Sequence, residues 1–93
     1  MNYTDYPNAY ELALFAENEE SIYFSFIVPA IQKLHTRLGK PSYNPEKWFF
    51  SIATAAAKQY KKEFGTKFTI EDRRIAALIL QDSYMENILE GDI

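Results

Sequence analysis

Apolar residues recur at helical spacing along most of the chain, and turn residues separate the stretches from one another. In the first stretch, one helical face holds four apolar positions: Ala9, Leu12, Ala13 and Ala16. Pro7 precedes them, and proline is favourable in a first turn because the backbone N–H that it lacks would have no helical partner there. The pattern predicts a first helix over residues 7–17.

The second stretch, residues 19–38, has two competing interpretations. A single helix kinked at Pro29 places five residues on one face: Tyr23, Ile27, Ile31, Leu34 and Leu38. Alternatively, the β-branched and aromatic residues 21–28 form a strand, followed by a helix over residues 30–38. We prefer the kinked helix, because no other segment offers this strand a partner. Asn18 is predicted to cap the helix and Gly39 to end it.

Two further helices are predicted beyond the loop over residues 40–44. Asn44 is expected to cap the third helix, which Pro45 opens and Gly65 ends. Its main apolar positions step by four residues: Trp48, Ile52, Ala56, Tyr60 and Phe64. Thr69 is expected to cap the fourth helix, with Asp72 completing a variant of the capping box.

Residues 75–80 of the fourth helix are six consecutive apolar residues. A helix with a single buried face would alternate with polar residues. The pattern therefore predicts either that this helix is central in the fold, or that residues 75–80 also form a homo-oligomer or partner interface through Ala76, Ala77 and Leu80. The elements together predict an all-α fold, a compact bundle of about four helices in a single domain over residues 1–93.

The amino-acid composition excludes most kinds of catalytic site. The 93 residues include no cysteine and a single histidine, His35, so a thiolate nucleophile and a cysteine-type zinc site are excluded. The three glycines are isolated and form no phosphate-binding loop. We therefore expect a protein that is not an enzyme and that uses no metal and no cofactor.

Charge is segregated along the sequence. Residues 1–32 contain five acidic residues and no Lys or Arg, whereas residues 33–74 contain all ten Lys and Arg against four acidic residues. Residues 75–93 contain four more acidic residues and no basic one. Neighbouring helices of opposite charge can neutralise one another in a bundle. Alternatively, the segregation gives the molecule one acidic and one basic face, each fitted to a different partner.

The acidic and aromatic residues lead to the first functional hypothesis. Asp82, Glu86 and Glu90 form a carboxylate stripe at successive helical turns. The other candidate contacts lie near the amino terminus and are Glu17, Glu20, Tyr3, Tyr6 and Tyr10. We expect a non-catalytic protein-binding module, a stoichiometric inhibitor or adaptor of the kind that phages and mobile elements carry.

Basic residues around the turn between the third and fourth helices give an alternative, a nucleic-acid-binding regulator. These residues are Lys58, Lys61, Lys62, Lys67, Arg73 and Arg74. A third hypothesis is a self-assembling structural or ligand-binding oligomer built through residues 75–80. No segment is apolar enough to predict a membrane span, and the first residues do not have the pattern of a signal peptide, so we expect a cytoplasmic protein that binds no membrane.

Overall fold

Four helices pack around one another in the computed structural model, which describes residues 5–92. α1 spans Pro7–Asn18, α3 spans Pro45–Phe64 and α4 spans Ile70–Glu90. α2 consists of three consecutive helical segments, Glu20–Ile22, Tyr23–Ile27 and Val28–Thr36. No strand occurs within the described residues, so the predicted all-α bundle of about four helices is confirmed and the alternative strand over residues 21–28 is wrong.

The middle segment of α2 is a π-helical turn that lies just ahead of Pro29. Pro29 has no N–H to donate to the Ser25 carbonyl, and its ring would clash with that carbonyl in a regular α-helix. The chain widens instead, and the Val28 N–H donates to the Tyr23 carbonyl five residues back. The wider turn also moves the buried face: Ile22 is 2% exposed, whereas the predicted core residue Tyr23 is only half-buried.

The starts of α3 and α4 are capped by Asn44 and Thr69, as predicted. The Asn44 side chain accepts a hydrogen bond from the Lys47 N–H, 3.3 Å away, and Gly65 ends α3 at φ +76°. The Thr69 hydroxyl accepts from the Asp72 N–H while an Asp72 carboxylate oxygen accepts from the Thr69 N–H, both at 3.0 Å. These reciprocal bonds satisfy two backbone donors that would otherwise lack helical partners.

Two predicted boundaries of α2 are wrong. Asn18 belongs to α1, and Glu19 precedes α2 without any side-chain capping bond. α2 ends at Thr36 rather than at Gly39, because the Arg37 N–H turns back to bond the Leu34 carbonyl in a tighter turn. Gly39 lies three residues beyond the helix, at φ +75°.

α4 is the central helix of the bundle and contacts all three of the others. Its apolar run is covered on every side: Ala76, Ala77, Ile79 and Leu80 are buried, and Ile75 and Leu78 are half-buried. Ile88 of α4 and Phe68, which precedes α4, are also buried, and the other helices contribute the remaining large buried side chains: Leu12, Ile22, Ile27, Ile31, Leu34, Phe49 and Ile52. Phe64, predicted to join this core, is 62% exposed because it lies at the last position of α3, where only Phe15 and Tyr60 pack against its ring.

The ends of α2 and α4 are joined by His35. Its Nδ1 lies 2.8 Å from the Ile88 carbonyl oxygen, which is an acceptor only, so Nδ1 carries the proton and donates. Ile88 is in the last turn of α4, where carbonyls have no helical donor. Gly91 follows at φ +75°, and a Cβ there would lie 2.7 Å from His35 Nε2. His35 thus has a structural contact, and any side chain at position 91 would displace it.

Two leucines on α1 offer a matched test of the packing. Leu12 is fully buried, whereas Leu14 is 36% exposed on the same helix. Leu12→Ala leaves a cavity against α4 and should lower the free energy of unfolding by about 2–4 kcal/mol, and Leu14→Ala by less than about 1 kcal/mol. Urea unfolding followed by circular dichroism measures both. Equal losses for the two variants would contradict this arrangement of α1.

Candidate functional site

The acidic stripe lies along the outer surface of α4. Asp82, Glu86 and Glu90 are all exposed, and each is one helical turn from the next. Their Cα atoms therefore extend over about 12 Å along the helix. Exposed like charges in a row repel one another mildly, which disfavours the stripe in the isolated protein and favours contact with a cationic surface.

A contact between α1 and α4 brings Glu17 to this stripe. The Glu17 carboxylate lies against Ser83, the residue that follows Asp82. The Ser83 hydroxyl can donate either to this carboxylate or to the Ile79 carbonyl, which is 2.9 Å away. Glu20, three residues further on, is exposed in the first turn of α2. The structure thus joins the two acidic segments of the sequence at one corner of the bundle.

The pKa values of Glu17 and Tyr84 are raised because both side chains are partly buried. Burial raises the pKa of Glu17 above its ordinary value, and the hydrogen bond from Ser83 only partly opposes that change. Burial also raises the pKa of the half-buried Tyr84 to about 12, assisted by the nearby Glu17 charge and by Tyr23. The negatively charged forms of both side chains are therefore disfavoured at the seam between α1 and α4.

The tyrosines predicted at the site are separated from the carboxylates. Tyr6 and Tyr10 are 41% and 44% exposed near the start of α1, and Tyr10 lies about 10 Å from Glu17 along the helix. Tyr3 lies outside the described residues. Leu14, one turn after Tyr10, is exposed between the tyrosine and Glu17.

Leu14 and Leu89 are surface residues that the sequence analysis missed. Leu89 is 56% exposed between Glu86 and Glu90 in the chain. Each leucine lies off the buried positions of its own helix, and this offset is the signal that could have identified it. We use the term acidic face for this set of carboxylates of α1, α2 and α4 and exposed leucines of α1 and α4: Glu17, Glu20, Asp82, Glu86, Glu90, Leu14 and Leu89.

The six basic residues near the turn between α3 and α4 do not form one surface. Four of them line a depression of about 280 Å³ together with Thr54 and Phe68: Lys58, Lys61, Lys67 and Arg73. Lys62 lines a different depression between α2 and α3, which Lys58 also borders. Arg74 lines a third, beside Glu46 and Phe50. The six residues thus line three depressions, two of which share Lys58.

Arg73 is the most constrained of these cations. Its Nη1 donates to Thr54 Oγ1 at 3.5 Å, and its guanidinium lies 5.7 Å from the centre of the Phe50 ring. Its Nε is buried and has no hydrogen-bond partner. Arg73 thus packs across α3 as much as it faces the depression.

Ala76, Ala77 and Leu80, the residues expected to offer an oligomer contact, have no free surface, whereas Ile75 and Leu78 of the same run are half-buried. Ala76, Ala77 and Leu80 are 0%, 2% and 0% exposed beneath the other helices, so the expectation that they offer contacts to a second copy is wrong for the folded chain. Their burial favours the other interpretation, a central helix, because a contact through these side chains would require the bundle to open.

Within the described residues, no three His, Asp or Glu side chains are grouped so that they could hold a metal ion. None of the described helices combines the length and the apolar character that crossing a bilayer requires. Comparisons of the chain with models of protein families, with curated proteins and with solved structures found no match.

Because the pKa of Glu17 is raised, we predict that replacing this residue by a neutral one stabilises the fold, and that the gain in stability depends on pH. The folded state is penalised for a charged Glu17 above the raised pKa, and the penalty disappears below the ordinary value of 4.5. Glu17→Gln should therefore increase the free energy of unfolding at pH 7, and the gain should shrink as the pH falls towards 4. Urea unfolding at both pH values measures it.

Glu20→Gln is the matched control for that variant, because Glu20 is exposed at the start of a helix, where a negative charge is favourable. It should gain no stability at pH 7. If Glu17→Gln is no more stable than the native chain at pH 7, or if its gain is the same at pH 4, then Glu17 is not shielded from water.

Proposed function

We propose that this protein is a non-catalytic protein-binding module, which acts as a stoichiometric inhibitor or adaptor by docking its acidic face on a basic surface of another protein. The observation that carries the proposal is the contact of Glu17 with Ser83, which unites the acidic residues of α1 with the stripe on α4. An acidic residue of the first segment thereby lies against the helix that carries the stripe.

The composition of the acidic face fits such a role. Carboxylates in a row accelerate the encounter with a cationic partner and set its orientation, because opposite potentials attract over about a Debye length. Leu14 and Leu89 supply exposed apolar area beside the carboxylates, and buried apolar contacts provide most of the affinity in protein interfaces. A cytoplasmic location is part of the proposal, since a chain without cysteine gains no disulfide from an oxidising compartment.

Charge reversal on the acidic face tests this function. Glu86→Lys/Glu90→Lys changes two exposed side chains of α4, and Lys61→Glu/Lys67→Glu changes two exposed side chains on another side of the bundle. Tagged protein of each kind is incubated with a nuclease-treated lysate of the source cells, and the recovered proteins are identified by mass spectrometry. A single protein should be recovered stoichiometrically, and the acidic-face variant should retain about tenfold less of it.

The lysine variant is the control and should recover the partner as well as the native chain does. Circular dichroism checks that both variants keep their helices. Undiminished recovery by Glu86→Lys/Glu90→Lys would contradict docking through the acidic face.

A nucleic-acid-binding regulator is the second candidate, because four cations converge on one depression beside the Thr54 hydroxyl. Such binding would weaken steeply with salt, with a slope of about −0.9 in log K against log salt for each phosphate contacted on duplex DNA. Fluorescence anisotropy with a labelled duplex at several salt concentrations measures this slope. Lys61→Glu/Lys67→Glu should abolish the binding, whereas Glu86→Lys/Glu90→Lys should leave it or strengthen it.

A further inference from the structure

An open groove lies between α2 and α3. It consists of two adjoining depressions of about 360 and 810 Å³, and Phe26 borders both of them. Trp48 lies at one end, where the Arg37 guanidinium covers its ring at 4.7 Å. Gln59 lies at the other end, where its side chain accepts a hydrogen bond from Ser21 of α2 at 3.4 Å.

The groove combines an apolar floor with a cationic rim. The floor is mainly aliphatic: Ile22, Pro29, Ala30, Ile52 and Ala55. Phe26 projects into its middle and remains 46% exposed, which is a large apolar area to leave in water. Four lysines border the two depressions, Lys33, Lys47, Lys58 and Lys62, and Glu63 is the one acidic residue that lines them.

The π-helical turn of α2 gives this groove its aromatic centre. Ile22 and Ile27 are both buried although five residues separate them, because the wide turn rotates the residues that follow. Phe24 and Phe26, inside the turn, are then both left exposed. Phe26 faces the groove, whereas Phe24 does not line it and packs edge-on against Tyr23, with the ring centres 5.1 Å apart.

We propose that this groove binds an acidic amphipathic helix of a partner protein. The stretch of α3 that lines the groove, from Trp48 to Lys62, is about 21 Å long, which matches about four turns of a helix. A helix lying there would place its apolar stripe on Phe26 and the aliphatic floor, with carboxylates on both flanks opposite the four lysines. This surface is distinct from the acidic face, so it would give the proposed adaptor a second, oppositely charged binding site.

Two other kinds of occupant fit the groove less well. A small molecule would leave much of its surface in water, because the depressions are open along their length and ligand sites usually enclose most of a ligand. A single-stranded nucleic acid needs free aromatic faces on which its bases stack. Phe26 is the one aromatic ring left exposed in the groove, because Arg37 covers the Trp48 ring and the rest of the floor is aliphatic, so successive bases would have no row of rings to stack on.

The chain contains its own reporter for this groove, since Trp48 is its single tryptophan. The probe is a synthetic peptide of about 14 residues with capped ends, leucines on one helical face and glutamates on both flanks. Its addition should change the Trp48 fluorescence saturably below about 1 mM peptide. A peptide with lysine at every glutamate position should bind at least about tenfold more weakly, and so should one with the leucines dispersed around the helix.

Pairs of matched variants test whether the peptide binds in the groove. Phe26→Ala should weaken it by about tenfold or more, whereas Phe24→Ala, the same change two residues away, should leave it within about twofold. Lys33→Glu/Lys47→Glu should also weaken it by about tenfold or more, and Lys40→Glu/Lys67→Glu, with the same change in charge elsewhere, should weaken it less. Thermal unfolding of each variant checks that the fold persists, which is expected because the changed side chains are exposed or half-exposed.

The proposal is overturned by any of four results: no saturable change with the glutamate peptide, equal binding of the lysine peptide, equal losses for Phe24→Ala and Phe26→Ala, or displacement of the peptide by an equally charged oligothymidylate. None of these results concerns Glu86 or Glu90. The proposal for the groove can therefore be disproved while the proposal of docking through the acidic face is retained, and the reverse is also true.

Discussion

The apolar middle of α4 has to be covered on every side, and the other three helices are arranged to cover it. A helix with one apolar face could lie at the surface, but residues 75–80 leave no polar face to expose. α1, the second half of α2 and α3 each pack against α4. Burying a leucine or isoleucine contributes about 1.5–3 kcal/mol, so an arrangement that exposed this run would lose a large part of the stability of so small a domain.

The apolar residues are mostly buried in the core, and the charged residues lie on the outer surfaces of the helices. The carboxylates of α1 and α4 meet at the seam marked by Glu17 and Ser83. The lysines of α2 and α3 border a groove on the opposite pair of helices. The packing places acidic α1 on α4 and basic α3 beside the basic end of α2, but α3 also packs against both α1 and α4, so helices of opposite charge are neighbours as well. Outside those contacts, the acidic stripe of α4 and the lysines that border the groove remain exposed.

Sequence reasoning succeeded where the deciding interactions are local. The caps at Asn44 and Thr69 were predictable because each bond joins residues three apart in the chain. The buried face of α2 was predicted correctly at Ile27, Ile31 and Leu34 but not at its start, where regular helical spacing was assumed across a proline that imposes a wider turn, and Ile22 is buried in place of Tyr23. The carboxylates were predicted, but the contact of Glu17 with Ser83 depends on how α1 packs against α4. The groove was missed because Lys33 and Lys47 become neighbours only when α2 packs against α3.

The position of α1 has a consequence for the order in which the fold can assemble during synthesis. Its buried residues, Ala9, Leu12, Ala13 and Ala16, pack mainly against α4, which begins more than fifty residues later. On the ribosome, α1 therefore emerges long before α4, the helix that covers most of its apolar face, and only α2 and then α3 can contact it until then. The carboxylates that surround that face then keep nascent chains apart by repulsion, until the last helix arrives and closes the core.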